Sequence, residues 1–377
     1  MGPKTGRSIS KAMTESQAYV AFNLTDKVGF ATVSELADSA GSVTAAWDAY
    51  PKKVSRAGGA IEWEREFDLA AKFGVTILTP ADAGYPARLK NAPGRPLALY
   101  VKGDVAALST PSVAIVGTRR ATSYGLDMAN RLSFGLAKAG WAVVSGLAVG
   151  IDAESHRGAL DAAGVTVGII GSGLDRFYPE ENRELAREMV NHGGAVVSEF
   201  PFGRPPDRET FPIRNHVVAA LAQGVVAVEA PIRSGTLITA SIAADLGRTV
   251  MAVPARVDNR QSAGCLQLIR DGAILVRNVD DVLEAMSELI PASSPRPAGV
   301  ESPKAPAADP EVPPYSVEES LVMLHVDDDG VSVDELVRKT RLPAERVNAV
   351  VMGLRIKGFV RFLPGNRVAA LKPGRRR

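Results

Sequence analysis

The chain has 377 residues, of which 46% are hydrophobic and 23% charged, with a formal net charge of +2. That length predicts two or three folding units, and the balance excludes wholesale disorder and a global basic field that would advertise a polyanion partner. The single cysteine, Cys265, excludes a disulfide framework and multi-thiolate metal sites, and no cofactor is expected.

The opening Met1 to Arg7 lacks the apolar core of a signal peptide, and no apolar run approaches the roughly 18 residues that span a bilayer. A soluble cytoplasmic protein with no membrane association is therefore expected. Residues 1–80 read as a small helical domain. Thr14 is placed to cap a helix over Glu15–Asn23, Ser34 and Ser42 lie near further helix starts, and Ile61, Trp63, Phe67, Ala70 and Ala71 have helical spacing. A strand over Val75–Leu78 then leads to Tyr85-Pro86 and Leu97–Gly103.

Residues 81–290 change pattern. Apolar runs at 113–116, 142–144, 166–170, 195–197, 225–228, 249–253 and 273–276 alternate with helix-length segments. Strands apolar on both faces and separated by helices predict an α/β fold: a doubly wound, mostly parallel, Rossmann-like sheet that binds ligands beyond the carboxyl ends of its strands. This core is neutral, with 21 basic and 22 acidic residues, so a nucleic-acid site must be a local concentration of charge. Residues 291–314, rich in Pro, Ala and Ser, read as an extended linker. Residues 315–377, with 12 basic and 8 acidic residues, read as a separate and mildly basic module.

Five turns that carry Gly, Ser or Thr fall at strand ends. After the first strand, Gly117-Thr118-Arg119-Arg120 joins free N–H groups to two guanidiniums, which suits a phosphate. The plain alternative is a capped turn with solvated arginines. The second and third glycines of a dinucleotide-binding fingerprint are missing. The second turn, Ser145-Gly146 through Asp152, leads to His156, and the four-residue spacing favours a structural Asp152–His156 pair over a catalytic one. Gly171-Ser-Gly-Leu-Asp175 and Tyr178-Pro179 follow. The fourth turn, Ser198 to His216, sets Arg204, Arg208 and Arg214 among Phe200, Phe202 and Phe211, the combination that holds phosphates and stacks bases of a single strand. A buried aromatic hinge is the alternative for at least one of these phenylalanines. The fifth, Arg233-Ser234-Gly235-Thr236 at a helix start, is a compact anion site. The five together point to a long phosphate-rich ligand or a nucleotide.

These motifs resemble the DNA-processing protein A (DprA/Smf) family from about Tyr85 to Asp281. Carrying the resemblance are Leu-Tyr-Val-Lys-Gly at 99–103, Ile-Val-Gly-Thr-Arg at 115–119, Ser-Gly-Leu-Ala-x-Gly-Ile-Asp at 145–152, Tyr-Pro-x-x-Asn at 178–182, Phe-Pro-x-Arg-Asn at 211–215 and Val-Glu-Ala-x-x-Arg-Ser-Gly-Thr at 228–236. The resemblance implies an extended Rossmann fold, binding of single-stranded DNA with little sequence preference, loading of RecA recombinase in natural transformation, and a homodimer. It places phosphate contacts on Arg119 and Arg208 and base packing on Phe211. Ser145 and Gly146 are expected to line the groove, with Arg214 and Asn215 beside it. The chain departs from the family pattern at His216, Ala255 and Leu266.

The flanks resemble the family's accessory modules. Residues 13–75 are similar to a sterile-alpha-motif-like domain. Residues 315–370 read as a winged helix, with helices at 321–326, 333–339 and 343–357 and a hairpin of 359–362 with 367–371 turning at Gly365-Asn366. A protein-binding role for the winged helix is slightly favoured over a groove-reading one. The terminal Arg375–Arg377 is expected to add nonspecific DNA affinity. A binding protein rather than an enzyme is expected. The alternative is a nucleotide-binding enzyme of the nucleoside-monophosphate phosphoribohydrolase type, but Ile232-Arg233 stands where that chemistry has Gly-Gly, and no catalytic Glu follows.

Overall fold

A computed structural model describes residues 12–51, 54, 59–287, 316–326, 330–340, 342–357, 359–363 and 367–370. The expected linker, the Gly365-Asn366 turn and the terminal arginines lie outside these residues. The chain forms two units, 1–300 and 301–377.

The first unit opens with four helices, α1 (Glu15–Leu24), α2 (Phe30–Ala40), α3 (Val43–Ala49) and α4 (Trp63–Phe73). Thr14 caps α1 in a reciprocal capping box with Gln17, and the Ser42 hydroxyl accepts from Ala45 N to cap α3. Ser34 is not near a helix start. It lies in the second turn of α2, whose cap is Gly29, because helix formation runs back to Phe30. Phe22 packs edge-on against Trp47 and Tyr50 in the small core of these helices. Val20 reaches Ala98 and Tyr100, which ties the helices to the edge of the main sheet.

That sheet has nine strands: β1 (Thr76–Leu78), β2 (Leu99–Gly103), β3 (Ser112–Val116), β4 (Ala142–Ser145), β5 (Thr166–Ile169), β6 (Ala195–Ser198), β7 (Gly224–Ala227), β8 (Thr249–Ala252) and β9 (Ile274–Leu275). Their order is β1-β2-β6-β5-β4-β3-β7-β8-β9. Strands β3 to β9 pair in parallel, while β2 lies antiparallel between β1 and β6. The expected mostly parallel Rossmann-like sheet is present. Both faces are covered, and alternation along β3 shows why its run is wholly apolar: Val113 and Ile115 enter one core, Ala114 and Val116 the other.

Between the strands run α5 (Ala87–Lys90), α6 (Ser123–Lys138), α7 (Ile151–Asp161), α8 (Arg183–Asn191), α9 (Thr210–Leu221), α10 (Gly235–Asp245), α11 (Ala263–Arg270) and α12 (Val279–Ser287). The chain steps outward from β3 to β6, then returns to the other side of β3 for β7 to β9. The switch point, where such sheets open a crevice, therefore lies between the carboxyl ends of β3 and β7.

The second unit is a winged helix. Helices α13 (Val317–Met323), α14 (Val333–Thr340) and α15 (Ala344–Ile356) pack on a three-stranded sheet, β10 (Val331–Ser332), β12 (Arg367–Ala370) and β11 (Val360–Leu363) in spatial order. Its core holds Val322, Leu336, Val347, Val351, Leu354 and Val360. No helix among the described residues is long and apolar enough to cross a membrane.

Candidate nucleic-acid interface

At the switch point the structure opens a cavity of about 390 Å³. Gly117 to Arg120 border it from the end of β3, Ala148 and Asp152 from the β4–α7 turn, Phe211, Arg214 and Asn215 from α9, and Ser234 to Thr236 from the start of α10. Four of the five strand-end turns thus meet around one space. The third turn contributes Gly171 to a side cavity of about 90 Å³ that shares Arg119, Phe211 and Arg214. A larger, mostly apolar cavity of about 590 Å³ lies beside Phe73, Phe177 and α8, and only Leu174 of these turns borders it.

The rim brings charge and aromatic surface together. Arg119 and Arg120 are exposed, and the Arg119 guanidinium lies 4.9 Å from the centre of the half-buried Phe211 ring. The Tyr178 ring lies 6.3 Å beyond Phe211, and a Cβ on Gly171 would stand 3.3 Å from the Phe211 ring edge. Beneath them the backbone is held tightly. Thr118 N donates to Glu229 O at 2.7 Å and Ile151 N to Thr118 O at 3.3 Å, so the β3, β4 and β7 ends move as one piece. The buried Glu229 carboxylate accepts from Thr122 N at 2.8 Å and from Thr122 Oγ1 at 2.6 Å, which fixes the start of α6.

Arg214 is buried, not at the surface. Its Nη1 lies 3.8 Å from Asp152 Oδ2, and both side chains are more than nine-tenths covered. Burial raises the Asp152 carboxyl pKa and lowers that of Arg214, and the attraction between the two opposes both shifts. Gly146 makes this possible: a Cβ there would stand 1.2 Å from Arg214 Nη1.

The expected Asp152–His156 pair does not form. Asp152 turns to Arg214, and His156 Nδ1 meets Thr166 Oγ1 at 2.6 Å at the start of β5. Burial drives the His156 pKa down to about 3, because its ring has no countercharge in that apolar site.

Other expected site residues stand apart from the cavity lining. Ser145 is buried and donates to Ile115 O at 2.6 Å, so its hydroxyl ties β4 to β3. Gly146 borders only the side cavity. Arg208 is exposed just ahead of α9, and Arg233 is exposed in a left-handed conformation (φ 71°) just ahead of α10. Asn215 Nδ2 donates to Gly235 O at 3.3 Å. His216 packs near Gly94, and burial lowers its pKa. Ala148 and Thr239 line the cleft and Tyr178 the side cavity without a motif that assigns them a role, although Tyr178-Pro179 is itself a motif.

Residues 76–287 match the family described as DNA recombination-mediator protein A, and residues 303–366 match the DprA winged helix domain. The chain belongs to the DNA recombination-mediator protein A family. Among its relatives, Protein Smf of Synechocystis is 33% identical over 322 residues, covering 77% of this chain and 79% of that protein. Protein Smf of Escherichia coli is 34% identical over 295 residues, 77% and 76% of the two chains. DNA processing protein DprA of Bacillus subtilis is 38% identical over 216 residues, 57% and 72%. The X-ray structure of DprA from Streptococcus pneumoniae superimposes with a TM-score of 0.60 at 32% identity, covering 73% of this chain and 98% of that one. DprA from Helicobacter pylori, described for its single-stranded DNA binding mode, superimposes with a TM-score of 0.52 at 28% identity, covering 58% and 98%. The DNA recombination-mediator protein A match spans every strand of the main sheet and the whole β3–β7 cleft.

Proposed function

We propose that the cleft between β3 and β7 binds single-stranded DNA without regard to base sequence, and that the chain delivers such strands to RecA recombinase in natural transformation and recombination. The observation that carries the reading is the Arg119 guanidinium 4.9 Å from the Phe211 ring at the cleft mouth. A phosphate-binding cation and a base-stacking surface sit side by side, and the free N–H groups at the α10 N-terminus add a second anion contact. Arg119 and Arg120 hold the backbone, Phe211 packs on a base, and Gly117, Thr118, Ser234, Gly235 and Thr236 supply close backbone approach. Arg208 and Arg233 extend the cationic track beyond the cleft. Arg214 acts from beneath, as a positioning residue. Membership of the family and the single-stranded DNA binding mode described for the Helicobacter pylori relative support the same ligand.

We read the cleft as a binding site, not a catalytic one. Its two strand-end carboxylates are engaged, Asp152 with Arg214 and Glu229 with Thr122, which leaves neither free as a general base. A homodimer fits the exposed Ile274 and Leu275 of edge strand β9, which offer an apolar strand to a second copy. Such a role belongs in the cytoplasm.

Binding of labelled oligothymidine, oligoadenosine and oligocytidine at low salt tests the ligand. Affinities within about fivefold of one another support the reading. No binding, together with hydrolysis of a nucleoside monophosphate, would replace it with the enzyme. The rate of RecA filament assembly on oligothymidine, with and without the chain, tests the delivery step.

A further inference from the structure

We propose that a second cavity, at the opposite end of the parallel strands from the DNA cleft, binds a phosphate group between Arg88 and Arg248. The cavity measures about 370 Å³ and lies between α5 and the C-terminal end of α10, with Asn91 and Asp245 also on its wall. Arg248 immediately precedes β8, and Arg88 reaches the Thr110 carbonyl just ahead of β3. Arg248 therefore sits at the amino end of β8, and Arg88 at that of β3, the strand whose carboxyl end borders the cleft. The five residues of β3 separate the two places by about 17 Å of sheet.

Two observations make this place suited to an anion. The guanidiniums repel each other in a half-buried setting, and burial together with that repulsion lowers the pKa of Arg88. Among the described residues, neither arginine forms an ion pair. Their donors are also largely unused. Arg248 Nη2 donates to Ala220 O at 3.0 Å and Arg88 Nη1 to Thr110 O at 3.4 Å, yet a guanidinium carries five N–H groups. The Arg248 Nε is buried with no acceptor within reach. A tetrahedral oxyanion in the cavity answers both: it separates the two like charges and accepts from the unused N–H groups of the two forks. Capping a carbonyl in the last turn of α9 accounts for one Arg248 bond but not for the second arginine.

Two guanidiniums and one carboxylate sum to one positive charge. That sum matches a phosphodiester oxygen pair better than a dianionic monoester, so a nucleic-acid backbone is the favoured source over free phosphate. The site stands on its own residues and does not depend on the cleft. A strand held at both ends of the sheet would wrap around the edge of the unit.

The test uses the full chain with Arg119→Ala, which weakens the cleft contribution, and adds Arg88→Gln/Arg248→Gln or Asp245→Asn. In one arm, thermal unfolding is followed in inorganic phosphate against chloride at equal ionic strength. Binding raises Tm with phosphate concentration. The double glutamine variant is expected to weaken that dependence about tenfold, as loss of charge-assisted contacts does. Asp245→Asn is expected to strengthen it, a gain that no folding defect produces. In the other arm, long and short oligothymidines are bound to chains that retain Arg119. If the source is DNA, the double variant lowers the magnitude of the salt slope for the long strand by about 0.7, the value for one phosphate, and leaves the short strand unchanged. A response in the phosphate arm alone identifies free phosphate as the ligand. The proposal is overturned if the substitutions change neither the phosphate dependence of Tm nor the salt slope.

Discussion

Arg214 fills the space that a side chain on residue 146 would need, and this one exclusion sets the floor of the cleft. Gly146→Ala must expel the guanidinium from Asp152 and leave a buried carboxylate without its partner. The expected cost is about 3 kcal/mol or more, read as a lower urea midpoint at unchanged slope. A variant as stable as the wild type would mean that Arg214 has another seat. His156 makes a second prediction at this scale. Its folded pKa of about 3 lies below the ordinary 6.5, so the unfolded chain binds the extra proton throughout that interval. Stability is therefore complete above pH 6.5 and falls on acidification, by about 1.4 kcal/mol per pH unit for this one group. Urea unfolding at pH 7 and pH 5 checks the slope, and His156→Asn should flatten it.

The start of α6 shows how one element carries a turn. Thr122 accepts from Gly125 N at 3.2 Å and gives both its N–H and its hydroxyl to Glu229, so the turn from Gly117 to Arg120 is pinned between β3 and α6. Thr122→Val keeps the shape and removes the hydroxyl. It is expected to cost about 1–3 kcal/mol, because the buried carboxylate loses a donor. It should also loosen Arg119, which would appear as faster amide exchange over Gly117–Arg120. The strands were legible in the sequence because burial on both faces confines polar residues, such as Ser112, Ser145, Thr166 and Ser198, to the strand ends. The turns were legible because glycine, serine and threonine gather where a strand feeds a helix. What escaped were choices between equivalent local partners. Spacing offers Asp152 a neighbour on its own helix at His156, and only the fold brings in Arg214, 62 residues later in the sequence. Ser145 likewise carries a hydroxyl suited to a ligand, yet in the sheet it serves a neighbouring strand. The beginning of α2 was missed because Gly29 caps it without a side-chain signal.

At the scale of the molecule, the two units have separate cores, and the cleft is built wholly within the first. In the winged helix, Arg346 on α15 pairs with Glu318, and Lys357 just past its end pairs with Glu319, so both cations are already engaged. Removal of residues 301–377 is accordingly expected to change oligothymidine affinity by less than about twofold, measured by anisotropy. A large loss would place a DNA contact on the winged helix.

The central claim is that Arg119 and Phe211 together grip a single strand at the switch point. Fluorescence anisotropy of labelled oligothymidine at two salt concentrations, for the wild type, Arg119→Ala and Phe211→Ala, tests it most directly. The account predicts salt-weakened binding by the wild type. Arg119→Ala should reduce the magnitude of the salt slope by about 0.7. Phe211→Ala should lose about 1–3 kcal/mol at every salt concentration with the slope unchanged. Wild-type affinity and slope in both variants would contradict it.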